Sequence, residues 1–552
     1  MAAVAAALAL TPLGSAKDLA ELFAKGPYIQ LPGVDGVTIM WESATNHPAI
    51  VRYGQGRKLD QAAEAPAPRQ LKGITTVTKS ATVPAASPGA APVKTNITIL
   101  QTNTFFVYET TLSGLEAGRR YSYEVEVAGA HSPRRSFKTF SANPEAVRFL
   151  VYGDSRSNPK IHANLARQFR RHEPEFILHT GDLVGRGAEY SQWLREFFAP
   201  LRDVIDEVPF FPSIGNHEGD GTNYLAYFHL PGKERWYSLD IGPVHVLALD
   251  FHYEASTNEQ FEFARQDLAQ TQAPWKLVLL HYPVFNLGGH ATAWGHTNYL
   301  PLFHQTKVDL VLAGHSHIYE RFRPVAPSGD PEAWPLTCIT TGGGGASLYA
   351  SFDHPALLSR ETTNHYVIFD ATRDTLRGKA LRANGTVLDR FELRKSGGQL
   401  APDYLALLHP EESLRLFWEA APSLAGKAAL LPSTTNAAPM MLTVAARKPG
   451  LTPARLEITL APESAPFYRL EDSPVRVTTP PASMTNQVFW ARVRATGKKP
   501  ITKEKNDDLT PPLIFQATVT APEGQTVARG VRARYSEAAE KEARKVAGLA
   551  AD

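Results

Sequence analysis

Two kinds of hydrophobic pattern divide this chain. Between residues 27 and 141, short runs alternate apolar and polar positions, as in Gly36-Val-Thr-Ile-Met-Trp-Glu42 and Tyr121-Ser-Tyr-Glu-Val-Glu-Val127. A period of two suits strands with one buried face, and Gly/Pro punctuation between short strands predicts a β-sandwich. Residues 61–93 are rich in Ala and Pro with little periodicity, so a long loop is expected there. From 147 onward the runs become largely apolar, at 147–152, 176–179, 208–214, 244–249, 275–280 and 308–312. Such runs suit strands covered on both faces. Helical periodicity at 160–172, 190–204 and 258–269 separates several of them. Strand–helix alternation predicts an α/β core, closed by strands at 365–370 and 387–393. Beyond 395 the signal weakens. Residues 405–420 read as helical, 440–535 as strand-rich and 536–549 as a charged closing helix.

The expected architecture is therefore multidomain: a β-sandwich over 27–141, an α/β domain over 145–395, and a small β-rich region over 400–552 whose role is not readable. Composition agrees, since 552 residues exceed one ordinary core. A net charge of +2 gives no case for a nucleic-acid or membrane surface. The single cysteine, Cys338, excludes an intramolecular disulfide and reads as a buried apolar residue. The apolar start, ending near Pro12-Leu-Gly-Ser-Ala16, resembles a secretory signal over 1–16, although it lacks a positive n-region. Export to a periplasmic or extracellular space is expected. No stretch qualifies as a membrane span.

Five motifs carry the chemistry. They read Gly-Asp-Ser-Arg (153–156), Gly-Asp-Leu-Val (181–184), Gly-Asn-His-Glu (215–218), His-Tyr-Pro (281–283) and Gly-His-Ser-His (314–317). Each follows an apolar run, which places it in a loop beyond a strand's C-terminal end, where open α/β sheets build their sites. Taken singly, a Gly-Asp pair is an ordinary turn or cap and a lone His an ordinary core residue. Taken in order, the set offers the oxygen and nitrogen ligands that divalent metals prefer. A two-metal hydrolase needs a carboxylate that bridges cations about 3.5–4 Å apart. Asp182 is the candidate bridge. Asp154 and His317 would complete one metal, and Asn216, His281 and His315 the other. In an extended segment His315 and His317 point to the same side. The four glycines at 342–345 read as a tight turn near the site; no Lys-Ser/Thr follows to make a phosphate-binding loop.

This set resembles the calcineurin-like metallophosphoesterase superfamily, and within it the purple acid phosphatases. The closer likeness rests on Gly314-His-Ser-His-Ile-Tyr-Glu-Arg321, Gly215-Asn-His-Glu218, and Tyr237-Ser-Leu-Asp240 before Val244-His-Val-Leu-Ala-Leu-Asp250. It also rests on the preceding sandwich, which resembles a fibronectin type III-like domain. The resemblance spans roughly 27–395. It implies an α-β-β-α catalytic domain that hydrolyses a small phosphate monoester by attack of a metal-bound hydroxide at two divalent ions (Mn, Zn or Fe). It matches Asp154, Asp182 and His317 to the first metal's ligands, and Asp182, Asn216, His281 and His315 to the second's. It matches His217 to a residue that contacts substrate and protonates the leaving group, and His290 to another substrate-facing histidine.

Two positions depart from the family. Gly185 stands where purple acid phosphatases carry the tyrosine that gives them colour, so no such colour is expected. Arg156 stands where other members supply a histidine ligand, and a guanidinium does not ligate. Three readings of the gap remain: water or Asn158 fills it, the first site binds weakly, or Arg156 clamps a phosphate oxygen through its planar fork. A phosphodiesterase, and a binding protein with a degenerate metal site, are the alternative functions.

Overall fold

Strands that are apolar on both faces must be covered on both, and this requirement organises the molecule. The computed structural model describes residues 16–83, 93–290, 292, 294–325, 334–349, 351 and 357–400. Farther on it describes 415–422, 424–425, 428–429, 432, 434–447, 455–460, 464–471, 475–477, 487–497, 513–520 and 526–532. The expected signal segment, apart from Ala16, and the expected closing helix lie outside these residues. The chain divides into two compact units, Met1–Ala401 and Pro402–Asp552.

In the first unit the alternating segments form two sheets. One orders Lys25–Gln30, Gly36–Ser43, Val93–Ser113 and Arg69–Val83. The other orders Gln61–Glu64, Ala49–Gln55, Arg120–Val127 and Ala130–His131, with Arg135–Lys138 also paired to Arg120–Val127. Ile29, Val37, Ile39 and Trp41 of one sheet share a core with Val51, Tyr123, Val125 and Phe137 of the other. The described part of 61–93 is not the expected loop. Arg69–Val83 is a long strand in register with Val93–Ser113, from Arg69↔Val107 to Val83↔Val93. Its β-branched run Ile74-Thr-Thr-Val-Thr78 favours a pleated strand despite the surrounding Ala and Pro.

The α/β region holds two seven-stranded sheets. One orders Phe210–Pro212, Phe176–His179, Ala146–Tyr152, His365–Thr372, Thr375–Arg382, Val387–Ser396 and Gln399–Leu400. The other orders Tyr237–Ile241, Val244–Ala248, Trp275–Leu280, Leu310–Ala313, Thr337–Thr341, Tyr319–Phe322 and Leu357–Glu361. The first three strands of the former pair in parallel, as do the strands from Val244–Ala248 to Thr337–Thr341 in the latter. Helix Pro159–Phe169 covers the first sheet through His162, which bonds the Tyr152 hydroxyl at 2.8 Å. Helices Glu259–Gln270 and Tyr299–Gln305 pack Ala264, Leu268 and Phe303 against Leu247, Val278 and Val311 of the second. The sheets are stitched by Trp275 Nε1 donating to Thr372 O (2.7 Å) and Tyr319 OH donating to Asp389 Oδ2 (2.9 Å). The helix expected at 190–204 runs without a gap as Tyr190–Gln192, a π-helical stretch Trp193–Phe198, and Ala199–Ile205.

A buried ion pair joins sandwich to core. Lys25 Nζ lies 2.6 Å from each Glu42 carboxylate oxygen, and Tyr190 and Tyr227 donate their hydroxyls to the same carboxylate at 2.6 and 2.7 Å. Burial pulls the Lys25 amine down to about 8 against the opposing pull of Glu42. The second unit is β-rich. One sheet orders Arg415–Pro422, Ala438–Arg447, Gln487–Ala495 and Tyr468–Leu470, and another Val475–Val477, Arg455–Leu460, Ile514–Thr520 and Thr526–Arg532. Within the helix expected at 405–420, residues 405–414 lie outside the described set and 415–420 are strand, paired from Arg415↔Arg447. No described helix is long and apolar enough to cross a membrane.

Two stability measurements follow from these buried charges. Glu42→Gln strands the Lys25 ammonium, and removing one partner of a buried pair costs about 3–5 kcal/mol. A fall of that size in urea-unfolding stability is expected; a loss under about 1 kcal/mol would contradict the pairing. His245 sits between Asp240 (2.9 Å) and Asp267 (2.7 Å). Burial disfavours its charge, but the two carboxylates outweigh burial and push the imidazole from 6.5 up to about 9. Its stabilisation is thus complete below the unfolded value and is lost as pH rises through 9. The stability gap between the native chain and His245→Asn should be widest near pH ~6 and narrow toward pH ~10. A gap that does not change with pH would refute this.

Candidate metal centre

The five motif loops converge at the C-terminal edge of the parallel strands. Asp154 follows Ala146–Tyr152, Asp182 follows Phe176–His179, and Asn216 and His217 open a 3₁₀ turn beyond Phe210–Pro212. His281 follows Trp275–Leu280, and His315 and His317 follow Leu310–Ala313. Asp154, Asp182 and His315 take left-handed backbone conformations, with φ of 55°, 58° and 65°. Each such residue costs on the order of 1 kcal/mol or more, and Asp and His bear it better than most. The His315 N–H donates to Asp154 at 2.9 Å, and a Cβ on Gly314 would stand 2.4 Å from Asp154 Oδ2. Glycine is required at 314 by that close approach.

Glu218 ties the second and third loops together. Its buried carboxylate accepts N–H groups from Gly215 (2.8 Å), Asp182 (2.9 Å), Leu183 (2.9 Å) and Val184 (3.4 Å). Burial and the adjacent Asp182 charge push this carboxyl upward, and the N–H donors oppose that shift. Asp182 experiences the reverse balance. Burial would raise it, but His281, His217 and Arg156 hold it below the usual aspartate value.

Asp182 presents one oxygen to each side of the site. Oδ1 lies 3.3 Å from His281 Nε2, and Oδ2 lies 3.2 Å from Arg156 Nε. His281 Nδ1 sits 2.7 Å from Thr180 O. A carbonyl only accepts, so Nδ1 carries a proton, and Nε2 is the nitrogen that faces the site. Nε2 faces Asn216 Oδ1 at 2.9 Å as well as Asp182 Oδ1. Neighbouring ligand atoms of an octahedral ion with bonds of ~2.1 Å are about 3 Å apart. Asp182, Asn216 and His281 fit that spacing. The His315 ring lies 5.1 Å from that of His281, and burial with the adjacent His281 and His290 pushes it down to about 3.

The other side gathers Asp154, Asp182 and His317, all buried, with one donor atom from each within 4.8 Å of the others. These three can hold a metal ion. His317 Nδ1 donates to Ser347 O at 2.6 Å, leaving Nε2 toward Asp154 Oδ1 at 3.4 Å. Arg156 enters the same space, with Nη2 3.3 Å from His317 Nε2. Burial opposes a proton on His317, while the Asp154 bond and charge raise its pKa overall. The guanidinium N–H aimed at Nε2 fits the neutral ring.

The remaining expected residues line the rim. His217 Nδ1 donates to Gly185 O at 2.5 Å, and its Nε2 lies 3.8 Å from Asp182 Oδ2. Gly185, in the tyrosine's place, thus serves through its backbone; its N–H also donates to Glu196 Oε2 at 2.7 Å. The His290 ring lies 4.7 Å from that of His315 and bonds the Tyr349 hydroxyl at 3.0 Å. Asn158 caps Pro159–Phe169 by accepting from Ile161 N, so its side chain serves the helix. The 342–345 turn is a close backbone approach: Gly344 N–H donates to Gly153 O at 2.8 Å.

Four supporting residues escaped the sequence reading. Glu218 reaches back to accept the N–H of Gly215, which opens its turn, at 2.8 Å, and an acid three residues after that glycine is visible in Gly-Asn-His-Glu. Glu196, in the π-helical stretch, accepts from Ser157 N and Gly185 N at 2.9 and 2.7 Å and so ties the Arg156 loop to the Asp182 loop. Glu320 accepts from Leu287 N and Gly288 N at 3.0 and 2.9 Å, holding the loop of His290. Tyr349 stacks on His317 at 4.4 Å and belongs to no motif.

Comparison with known proteins agrees with this geometry. The calcineurin-like phosphoesterase family model matches residues 147–319. Acid phosphatase type 7 of Homo sapiens is 26% identical over 255 residues, covering 40% of this chain and 58% of the relative. A purple acid phosphatase of Glycine max is 26% identical over 330 residues, covering 49% and 68%. The chain thus spans less than two thirds of the human relative. Among solved structures, purple acid phosphatase PPD1 from yellow lupin (Lupinus luteus) seeds superposes with a TM-score of 0.54 at 19% identity, covering 68% of this chain and 76% of that one. Residues 147–319 are therefore a calcineurin-like phosphoesterase domain, in a chain whose relatives include purple acid phosphatases.

Proposed function

We propose that this chain is a metal-dependent phosphatase that hydrolyses phosphate monoesters at the convergence of the five loops. The observation that carries this reading is the meeting of three metal-ligating atoms, with His281 Nε2 at 2.9 Å from Asn216 Oδ1 and 3.3 Å from Asp182 Oδ1. A carboxylate oxygen, a carboxamide oxygen and an imidazole nitrogen at that spacing suit a divalent cation placed among them. Asp182, Asn216, His281 and His315 would hold one divalent ion. Asp154, Asp182 and His317 form a second candidate position, and a pair sharing the Asp182 carboxylate is the full complement the donors allow. Bound divalent metal would supply charge withdrawal from phosphorus and an activated water.

The protein's own groups do the rest. The Gly185 carbonyl fixes the His217 ring, and its Nε2, beside Asp182, would deliver a proton to the departing alkoxide. His290, held over His315 and bonded to Tyr349, would contact a phosphate oxygen. The guanidinium of Arg156, about one sixth exposed, has its outer edge available to an anion. The sandwich over 27–141 is assigned as a fibronectin type III-like domain, the α/β domain extends over 145–395, and residues 1–16 are assigned as an export signal.

Two kinetic outcomes test this. Asp182→Asn and His281→Ala should each abolish release of p-nitrophenol from p-nitrophenyl phosphate by metal-reconstituted protein; either variant retaining native kcat would sink the proposal. His217→Asn should lower kcat on an alkyl phosphate by about 10²–10⁴ while affecting p-nitrophenyl phosphate far less, because a good leaving group needs no proton. Equal losses on both substrates would remove His217 from the acid role.

A further inference from the structure

The two sides of the site differ in one respect. On the Asp182–Asn216–His281 side a carboxylate oxygen, a carboxamide oxygen and an imidazole nitrogen face one another, with the His217 backbone N–H on Asp182 Oδ1 at 2.9 Å and, among the described residues, no guanidinium or ammonium bonded to that oxygen. On the Asp154–Asp182–His317 side the protein provides its own cation. Arg156 Nε donates to Asp182 Oδ2 at 3.2 Å, and Nη2 donates to His317 Nε2 at 3.3 Å. These are two of the lone pairs a metal in that position would need.

From this contrast we infer that Arg156 is a built-in substitute for the first metal, so that the chain retains one tightly bound divalent ion, on the Asn216 side, instead of two. The inference rests on the metal-dependent reading above and specifies its stoichiometry. A guanidinium stays charged at every working pH, so protonation does not remove the competition. It is also held in place. Glu196 anchors the adjoining Ser157 N–H at 2.9 Å, and Ser157 itself adopts a left-handed φ of 70°. A metal entering beside Asp154 would have to expel a permanent cation from a buried carboxylate. Two carboxylates with one guanidinium and one divalent ion also leave the pocket with net positive charge, which suits an anionic ester.

Metal content tests this directly. Native protein, Arg156→Ala, Arg156→Gln and Arg156→Lys would be stripped with a chelator, reconstituted with Mn²⁺ or Zn²⁺, desalted and analysed by plasma mass spectrometry, with circular dichroism as a folding check. The expected content is about one ion per chain for native and Arg156→Lys, and about two for Arg156→Ala and Arg156→Gln. The Gln variant keeps the side chain's length and so guards against loss of packing in the Ala variant. About two ions in native protein, unchanged in the variants, would overturn the inference and leave the phosphatase proposal standing. No bound ion in any of the four would overturn both.

Discussion

The Glu218 carboxylate is the constraint from which the rest of the site follows. It lies fully inside the protein and gathers four backbone N–H groups, from its own loop and from the loop of Asp182. A buried carboxylate without such partners would cost several kcal/mol, so the two loops are locked to each other by the need to satisfy it. That lock holds Asp182 at a backbone angle an unconstrained aspartate rarely adopts. It also leaves Asp182 with one oxygen for each side of the pocket. Asn216 and His217 then fall on either side of the same carboxylate, because they belong to the turn that Glu218 closes.

Parallel strands make this arrangement possible. Loops beyond the C-terminal ends of neighbouring parallel strands emerge at one edge, so residues far apart in sequence meet without long connections. The sandwich reinforces the edge from outside. Thr76 N–H donates to Glu189, and Tyr190, which bonds Glu42, begins the stretch that carries Glu196. The chain of contacts therefore runs from the sandwich, through a π-helical distortion, to the loop bearing Arg156. Such distortions are frequent at functional sites.

What could be read in advance depended on whether the signal was local. The strand ends and the six candidate ligand positions were legible because Gly-Asp, Gly-Asn-His and Gly-His-x-His each combine a sharp turn with a polar group. The structure places the loops that carry these residues at one edge, along with His217, His290 and Arg156, and gathers donor atoms of Asp154, Asp182 and His317 within 4.8 Å of one another. The paired strand Arg69–Val83 was hidden by Ala- and Pro-rich flanks, and its partner strand supplies the pairing that decides its form. Residues 415–420 failed for the same reason, since the choice of strand over helix was made by pairing with Ala438–Arg447. Arg156 was legible as a departure but not as an occupant. Only the fold brings its guanidinium between Asp182 and His317, residues from distant loops.

The central claim is that acceptor atoms at these strand ends enclose a cation. Anomalous diffraction from crystals equilibrated with Mn²⁺ or Zn²⁺ tests it most directly. The account predicts a strong anomalous peak within about 2.3 Å of Asp182 Oδ1, Asn216 Oδ1 and His281 Nε2. Crystals lacking that peak, with the Asn216 carboxamide nitrogen turned to donate directly to His281 Nε2, would contradict it.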